Sequence, residues 1–250
     1  MPCRANCARP SNHGPVPNAR LFWIHGSGYT QDSFRAQVEA FPKSEALSLP
    51  GHPEGEPLTS VADMARWLAR HVRESGNGKA AVGGNSLGGA IVLEWALQHP
   101  EQAAGLILIG TGARLRVSPA IFESIDNSWP ACIEQLVDFA VSSNASAELR
   151  QHAREWHERV GQRATRLDYA ACDEFDVMER LGQICVPTLI VVGSEDKLTP
   201  AKFSRFLHER IQGSELLEVP GAGHIVMAER PDVVNPAIGT FLEKITAAPA

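Results

Sequence analysis

The stretch that most constrains this chain is Gly84-Asn85-Ser86-Leu87-Gly88, followed by Gly89. It follows the run Lys79-Ala80-Ala81-Val82 and precedes the run Ala90 to Leu97. The first reads as a short buried strand and the second as a helix with an apolar face. A serine among small residues at a strand-to-helix turn is strained and exposed. Gly84 and Gly88 lack a Cβ, so strand and helix can approach closely and the turn can take a positive φ. The hydroxyl would then stand at a helix N-terminus, where free N–H groups and the dipole favour developing negative charge. A glycine-rich turn with an idle serine is the plain alternative, and the rest of the chain has to decide.

Residues 1–19 read as a polar, Pro-rich tail. Leu21 to Ile24 reads as a strand, and His25-Gly26-Ser27-Gly28 as a tight turn that bares backbone N–H groups. Gln31 to Ala40 reads as an amphipathic helix and Ala46 to Leu49 as a second strand, stopped by Pro50-Gly51-His52-Pro53. Ser60 is placed to cap a helix over 61–74, with Val61, Met64, Ala65, Leu68 and Val72 on one face. Gly105 to Gly110 is apolar throughout, as a central parallel strand should be. From Thr111 to Gly182 strand-like runs disappear, and aromatics sit among charges in four or so short helices. The sheet resumes at Pro187 to Gly193, ending in Ser194-Glu195-Asp196. A helix near 201–211, a strand Leu216 to Val219, the loop Pro220-Gly221-Ala222-Gly223-His224 and a helix after Pro231 complete the order. Strands alternating with helices predict a parallel sheet with right-handed crossovers.

With 250 residues, 44% of them hydrophobic, the chain can bury one large α/β core. The net charge of −6 without a basic run argues against nucleic acid or an anionic membrane as partners. No apolar run is long enough to span a bilayer, and no secretory signal is expected at the N-terminus, which points to the cytoplasm. The five cysteines include no C-x-x-C pair and read as idle thiols of a reducing compartment, with Cys3 and Cys7 in the tail. His152 and His157 lack zinc-protease spacing and read as surface residues, and neither a metal site nor a cofactor is expected.

In an open parallel sheet, ligands bind beyond the carboxyl ends of the strands. Ser86, Asp196, His224 and the His25–Gly28 turn each follow an inferred strand, so they should meet on one edge. Acyl transfer needs a nucleophile, a base, a carboxylate that fixes the base's tautomer, and donors for an oxyanion. All four are present, in the chain order Ser, Asp, His. Motif and order resemble the α/β-hydrolase superfamily, over residues 21 to about 245. The Gly-Ser-Glu-Asp-Lys-Leu-Thr-Pro run and the Gly-Ala-Gly-His loop carry the resemblance further.

The resemblance implies an α/β-hydrolase fold: core segments 20–110 and 183–250, and a helical cap over 111–182. It implies that Ser86 is the nucleophile of a G-x-S-x-G elbow, His224 the base and Asp196 the orienting acid, with Glu195 as runner-up. Backbone N–H groups of Ser27 and Leu87 would form the oxyanion hole. Gly28, Tyr29, Trp129, Phe139, Trp156 and Ile225 are candidates to contact substrate. His25 would be structural, and His52 bland loop. Few residues precede Leu21, so the leading edge of the sheet is expected to be shortened. The activity implied is a serine esterase acting on a small or medium carboxylic ester, a small-molecule substrate. Asn85 before the nucleophile hints at C–C bond hydrolases of the meta-cleavage type, for which Arg114 and Arg116 could clamp a substrate carboxylate. A ligand receptor on the same fold is the third possibility.

Overall fold

The structure, a computed structural model, describes residues 19–76 and 78–246. All of the expected tail but Ala19 lies outside them, as do Cys3 and Cys7, so the expected shortening of the leading edge falls outside the described residues. Six strands form one all-parallel sheet in the order β2-β1-β3-β4-β5-β6 among the described residues. In chain order the elements are β1 (Arg20–Ile24), α1 (Arg35–Ala40), β2 (Ser44–Leu47), α2 (Val61–Glu74), β3 (Ala80–Asn85), α3 (Leu87–Gln98) and β4 (Ala103–Ile109). There follow α4 (Pro119–Asn127), α5 (Trp129–Ala140), α6 (Ala147–Glu174), β5 (Thr188–Gly193), α7 (Ala201–Arg210), β6 (Glu215–Val219), α8 (Val226–Glu229) and α9 (Pro231–Thr246). This is the α/β-hydrolase fold.

Strand burial follows sheet position. β3, β4 and β5 are buried at every residue, which is why they read as unbroken apolar runs, whereas the edge strands β2 and β6 are largely half-buried. Alternate residues feed two cores. Phe22, Ile24, Val82, Leu106 and Ile190 face α2, α3 and α7, while Leu21, Trp23, Ile107, Leu189 and Val191 face α8 and α9. Helix α2 begins where its cap predicts: the Ser60 hydroxyl accepts the Asp63 N–H at 3.1 Å. Helix α3 is buried from Leu87 to Ala96 because it lies at the centre of its layer, so its apolar residues go all the way round.

Two elements depart from the sequence reading. The segment from Gln31 is a 3₁₀ turn, Gln31–Phe34, capped by Thr30, and only then α1. Strand β2 lies two residues earlier than its apolar run. The Leu49 N–H donates to His25 Nε2 at 3.1 Å instead of to a strand, which ends the ladder. Between β4 and β5 the chain forms α4, α5 and α6, and the 28 residues of α6 are two helices joined across a kink at Gly161, so four helical pieces stand where four or so short helices are expected. Cys132 and Cys172 are buried thiols; Cys185 departs from the expected idle thiols in being disulfide-bonded.

Candidate active site

The strand order reverses at β1, which has β2 on one side and β3 on the other. Crevices open beyond the carboxyl ends of strands at such a switch point. Ser27 follows β1 there, and Ser86 follows β3.

Ser86 has φ 55° and ψ −115°, and it alone among described non-glycine residues has a positive φ. Such backbone costs on the order of 1–3 kcal/mol and persists only where its surroundings fix it. The sequence reading gave the positive φ to the flanking glycines; it falls on the serine itself. What the glycines supply is proximity. A Cβ on Gly84 would lie 2.3 Å from the Gly88 carbonyl, and one on Gly88 2.1 Å from the Ile24 oxygen. Three bonds hold the turn: Ser86 N–H to Ile109 O at 2.9 Å, Ala90 N–H to Ser86 O at 3.1 Å, and Thr111 Oγ1 to Ser86 O at 2.8 Å. The buried Asn85 amide donates to Ile109 O at 3.3 Å and to His224 O at 3.1 Å, so it staples the elbow to the histidine loop.

His224 and Asp196 meet although 28 residues separate them: His224 Nδ1 lies 2.9 Å from Asp196 Oδ2, and both side chains are buried. The carboxylate is itself fixed. Its Oδ1 accepts the N–H groups of Leu198 at 2.9 Å and Thr199 at 2.8 Å, and its Oδ2 accepts the Thr199 hydroxyl at 2.9 Å. The Thr199 hydroxyl also lies 3.1 Å from His224 Nδ1. Sequence reasoning overlooked Thr199, although an Asp followed three residues later by Thr at a strand end is the pattern of such a side-chain-to-backbone turn. Glu195 points elsewhere, accepting the Ser143 N–H and hydroxyl at 3.3 Å. The His224 and Ile225 N–H groups donate to Ala140 O, and Glu229 accepts the N–H groups of Gly223 and Ser142, so the end of α5 and the histidine loop form one unit.

The turn after β1 is closed by Tyr29 N–H to Gly26 O at 3.2 Å, with Gly28 at φ 67°. The Gly28 N–H is taken by Asp168 Oδ2, at 2.8 Å, from α6. The N–H groups of Ser27 and Leu87 have no acceptor among the described residues. The His52 loop is more than bland structure: His52 is buried with Nε2 2.9 Å from Asp168 Oδ2. His25 donates from Nδ1 to the Gly26 carbonyl at 3.0 Å and accepts Leu49 N–H at Nε2; burial, with His52 beside it, lowers its pKa to about 3. His157 overturns its surface expectation: it is buried against Gly28, neither ring nitrogen has a hydrogen-bond partner among the described residues, and burial lowers its pKa to about 3. Its apolar neighbours in α6, Ala153, Trp156 and Val160, sit at helical spacing around it, which is the signal that could have found it.

A cavity of about 280 Å³ opens over Ser86 and Ser27. Leu115, Val117, Ile121, Phe139, Tyr169 and Cys172 from the 111–182 segment form one wall, and Leu198, Thr199 and Phe203 another, with Arg116 and Lys197 as cations. Phe139 therefore lines the cavity. Trp156 packs edge-on against Tyr29 at 5.4 Å, Trp129 against His157 at 6.2 Å, and Ile225 is fully buried; with Gly28, these lie away from the cavity walls. No cluster of three metal-binding side chains occurs among the described residues, and no helix there is long and apolar enough to cross a membrane.

An open parallel sheet with a strained serine at its switch point defines a chain of α/β-hydrolase architecture. The model of the alpha/beta hydrolase family matches residues 21–237, and the chain belongs to that family. A solved thermophilic esterase is 36% identical, with 90% of each chain covered and a TM-score of 0.81. A pimeloyl-[acyl-carrier protein] methyl ester esterase of Neisseria meningitidis is 27% identical over 91% of this chain and 95% of its own. A putative carbamate hydrolase, RutD of Azorhizobium caulinodans, is 27% identical over 88% of this chain and 89% of its own.

Proposed function

We propose that the chain is a serine hydrolase that cleaves a small or medium carboxylic ester through an acyl-enzyme. The observation that carries this reading is the buried His224–Asp196 bond on the same sheet edge as the strained Ser86. In this reading Ser86 Oγ attacks the ester carbonyl while His224 Nε2 takes its proton. Asp196 accepts from Nδ1–H, fixes the tautomer and stabilises the imidazolium. The Ser27 and Leu87 N–H groups donate to the oxyanion, preorganised where charge develops. Collapse expels the alkoxide, which takes the proton from His224. Water, deprotonated by His224, then attacks the acyl carbon, releases the acid and restores Ser86. The segment 111–182 acts as a cap, and its apolar wall suits an acyl or aryl group. A cytoplasmic location belongs to the same reading.

The esterase names of the relatives support the ester class, and Arg116 on the cavity wall keeps C–C bond hydrolysis as a second reading. A panel of 4-nitrophenyl esters of graded acyl length, run beside a vinylogous diketone acid and with Ser86→Ala as control, separates them. Turnover of the diketone acid alone would reverse the order. Hydrolysis undiminished in Ser86→Ala would end both.

A further inference from the structure

We infer that Asp168 and His52 form a charge-balanced clamp on the oxyanion turn, in which Asp168 positions the turn and the His52 proton cancels the carboxylate's field at the developing oxyanion. The inference rests on the reading that the Ser27 N–H is an oxyanion donor.

One fully buried oxygen, Asp168 Oδ2, accepts from two places: Gly28 N–H at 2.8 Å and His52 Nε2 at 2.9 Å. It therefore ties α6 to the turn after β1 and to the loop after β2. Gly28 follows Ser27 directly, so the bond fixes the peptide between them. The Gly26 carbonyl, in the same peptide as the Ser27 N–H, is held from Tyr29 N–H and His25 Nδ1, so Asp168 holds the next peptide of the same turn. Released from Asp168, the Gly28 N–H would be left with no other acceptor among the described residues, and the peptide that follows the one bearing the Ser27 N–H would lose its anchor, so the turn would hold that donor less firmly.

The clamp carries an electrostatic problem. A lone carboxylate behind an oxyanion hole opposes the negative charge that the hole exists to stabilise, and in a water-poor site that opposition is strong. His52 removes it. Its two nitrogens both face acceptors: Nε2 the carboxylate, and Nδ1 the Pro50 carbonyl at 3.2 Å. With Asp168 ionised, both contacts are hydrogen bonds only if both nitrogens carry hydrogen, which is the imidazolium. Burial works against that proton, but the Asp168 charge and hydrogen bond and the Pro50 carbonyl outweigh it and raise the His52 pKa. The other titratable groups around the pair are neutral. His25, with its ring 4.7 Å from that of His52, and His157 are each lowered to about 3 chiefly by burial. Burial raises Tyr169 well above its ordinary value and Cys172 to about 12.

The test uses Asp168→Asn, His52→Gln and the double variant, reading kcat and KM separately on a neutral 4-nitrophenyl ester, with Tm alongside. Asp168→Asn keeps an acceptor oxygen for Gly28 and removes the charge, so kcat should fall only about threefold. His52→Gln leaves the carboxylate uncompensated, and kcat should fall about 10- to 100-fold with little change in KM. Adding Asp168→Asn to it should restore most of the loss. A merely structural pair would lower Tm in all three without that ranking. The wild type should also lose kcat at alkaline pH as His52 deprotonates through its raised pKa, a limb that Asp168→Asn should lack. His52→Gln no slower than Asp168→Asn, or a double variant slower than either, overturns the clamp while Ser86-dependent turnover stands. Wild type without Ser86-dependent turnover overturns the parent reading and this one with it. Ring ¹⁵N shifts showing a neutral His52 in the wild type at neutral pH overturn the charge balance whatever the kinetics.

Discussion

Asp196→Asn tests the tautomer argument at a single atom. Asp196 Oδ1 accepts two main-chain N–H groups, those of Leu198 and Thr199 at 2.9 and 2.8 Å, and Oδ2 faces His224 Nδ1 at 2.9 Å. Asparagine keeps one acceptor oxygen. The two fixed main-chain donors claim it, because an NH₂ group in that place would set three donors against one another. The amide nitrogen then occupies the Oδ2 position and donates to His224 Nδ1. That nitrogen must be unprotonated, so the ring proton moves to Nε2, the atom that should receive the Ser86 proton. The base is blocked with the heavy-atom geometry intact. The same exchange in serine proteases costs on the order of 10⁴ in kcat, about 5.5 kcal/mol at roughly 1.36 kcal/mol per tenfold. Glu195→Gln should cost no more than about threefold, since Glu195 makes only 3.3 Å contacts to Ser143. The assay is kcat/KM on a 4-nitrophenyl ester, normalised to active sites by burst titration. An Asp196→Asn protein within about tenfold of wild type, or a Glu195→Gln protein slower than it, would refute the reasoning.

An organophosphonate should label Ser86 alone, read by peptide mass; a label at any other serine ends the assignment of the nucleophile. Gly88→Ala would set a methyl 2.1 Å from the Ile24 oxygen and should destabilise the fold by about 1–3 kcal/mol or more in denaturant titrations, whereas a midpoint unchanged from wild type would mean the elbow is looser than described. Phe139→Ala should shift acyl-length preference in kcat/KM by up to about 200-fold, while Trp156→Ala should cost about 3–5 kcal/mol of stability with the preference unchanged. His25 and His157, lowered to about 3, are neutral in the fold but protonate near 6.5 once unfolded, so their stability is present above 6.5 and lost as pH falls towards 3. Each adds a slope of about 1.4 kcal/mol per pH unit in that window, and His157→Gln should flatten the measured curve; an equally steep curve would deny His157 its buried, neutral state.

The fold was legible because it depends on local signals that repeat. Buried central strands leave unbroken apolar runs, and β3, β4 and β5 are read within two or three residues of their true ends. The cap of α2 was legible to the residue, since Ser60 and Asp63 are neighbours on the chain. Local signals fail where a distant group decides. The Ala46–Leu49 run has strand character, yet β2 ends at Leu47 because a histidine from the end of β1 takes the Leu49 amide. Likewise the charged pattern of α6 suggests a solvated helix. It is solvated on one side, where Arg154 pairs with Glu134 and Arg166 with Asp126, and buried on the other against the turn after β1.

The site divides along the same line. Ser86, Asp196 and His224 could be picked out because each follows a strand, and a parallel sheet brings all such positions to one edge whatever their separation in sequence. That geometry fixes where residues converge but says nothing of which buried polar atoms meet between layers. Asp168 lies 140 residues from Gly28 and 116 from His52, inside a helix whose sequence gives no reason to single it out among its acids. Only packing pairs it. The same packing explains why His157, read as a surface residue for want of metal-site spacing, is instead held neutral against Gly28. A carboxylate buried in a helix is costly unless its partners are fixed. Here one partner is the turn beside the candidate oxyanion donor, so the segment that covers the cavity is also the segment that holds the turn. Substitutions in this segment should therefore change turnover as well as substrate preference, and the two effects separate at Asp168 in α6 and Phe139 in α5.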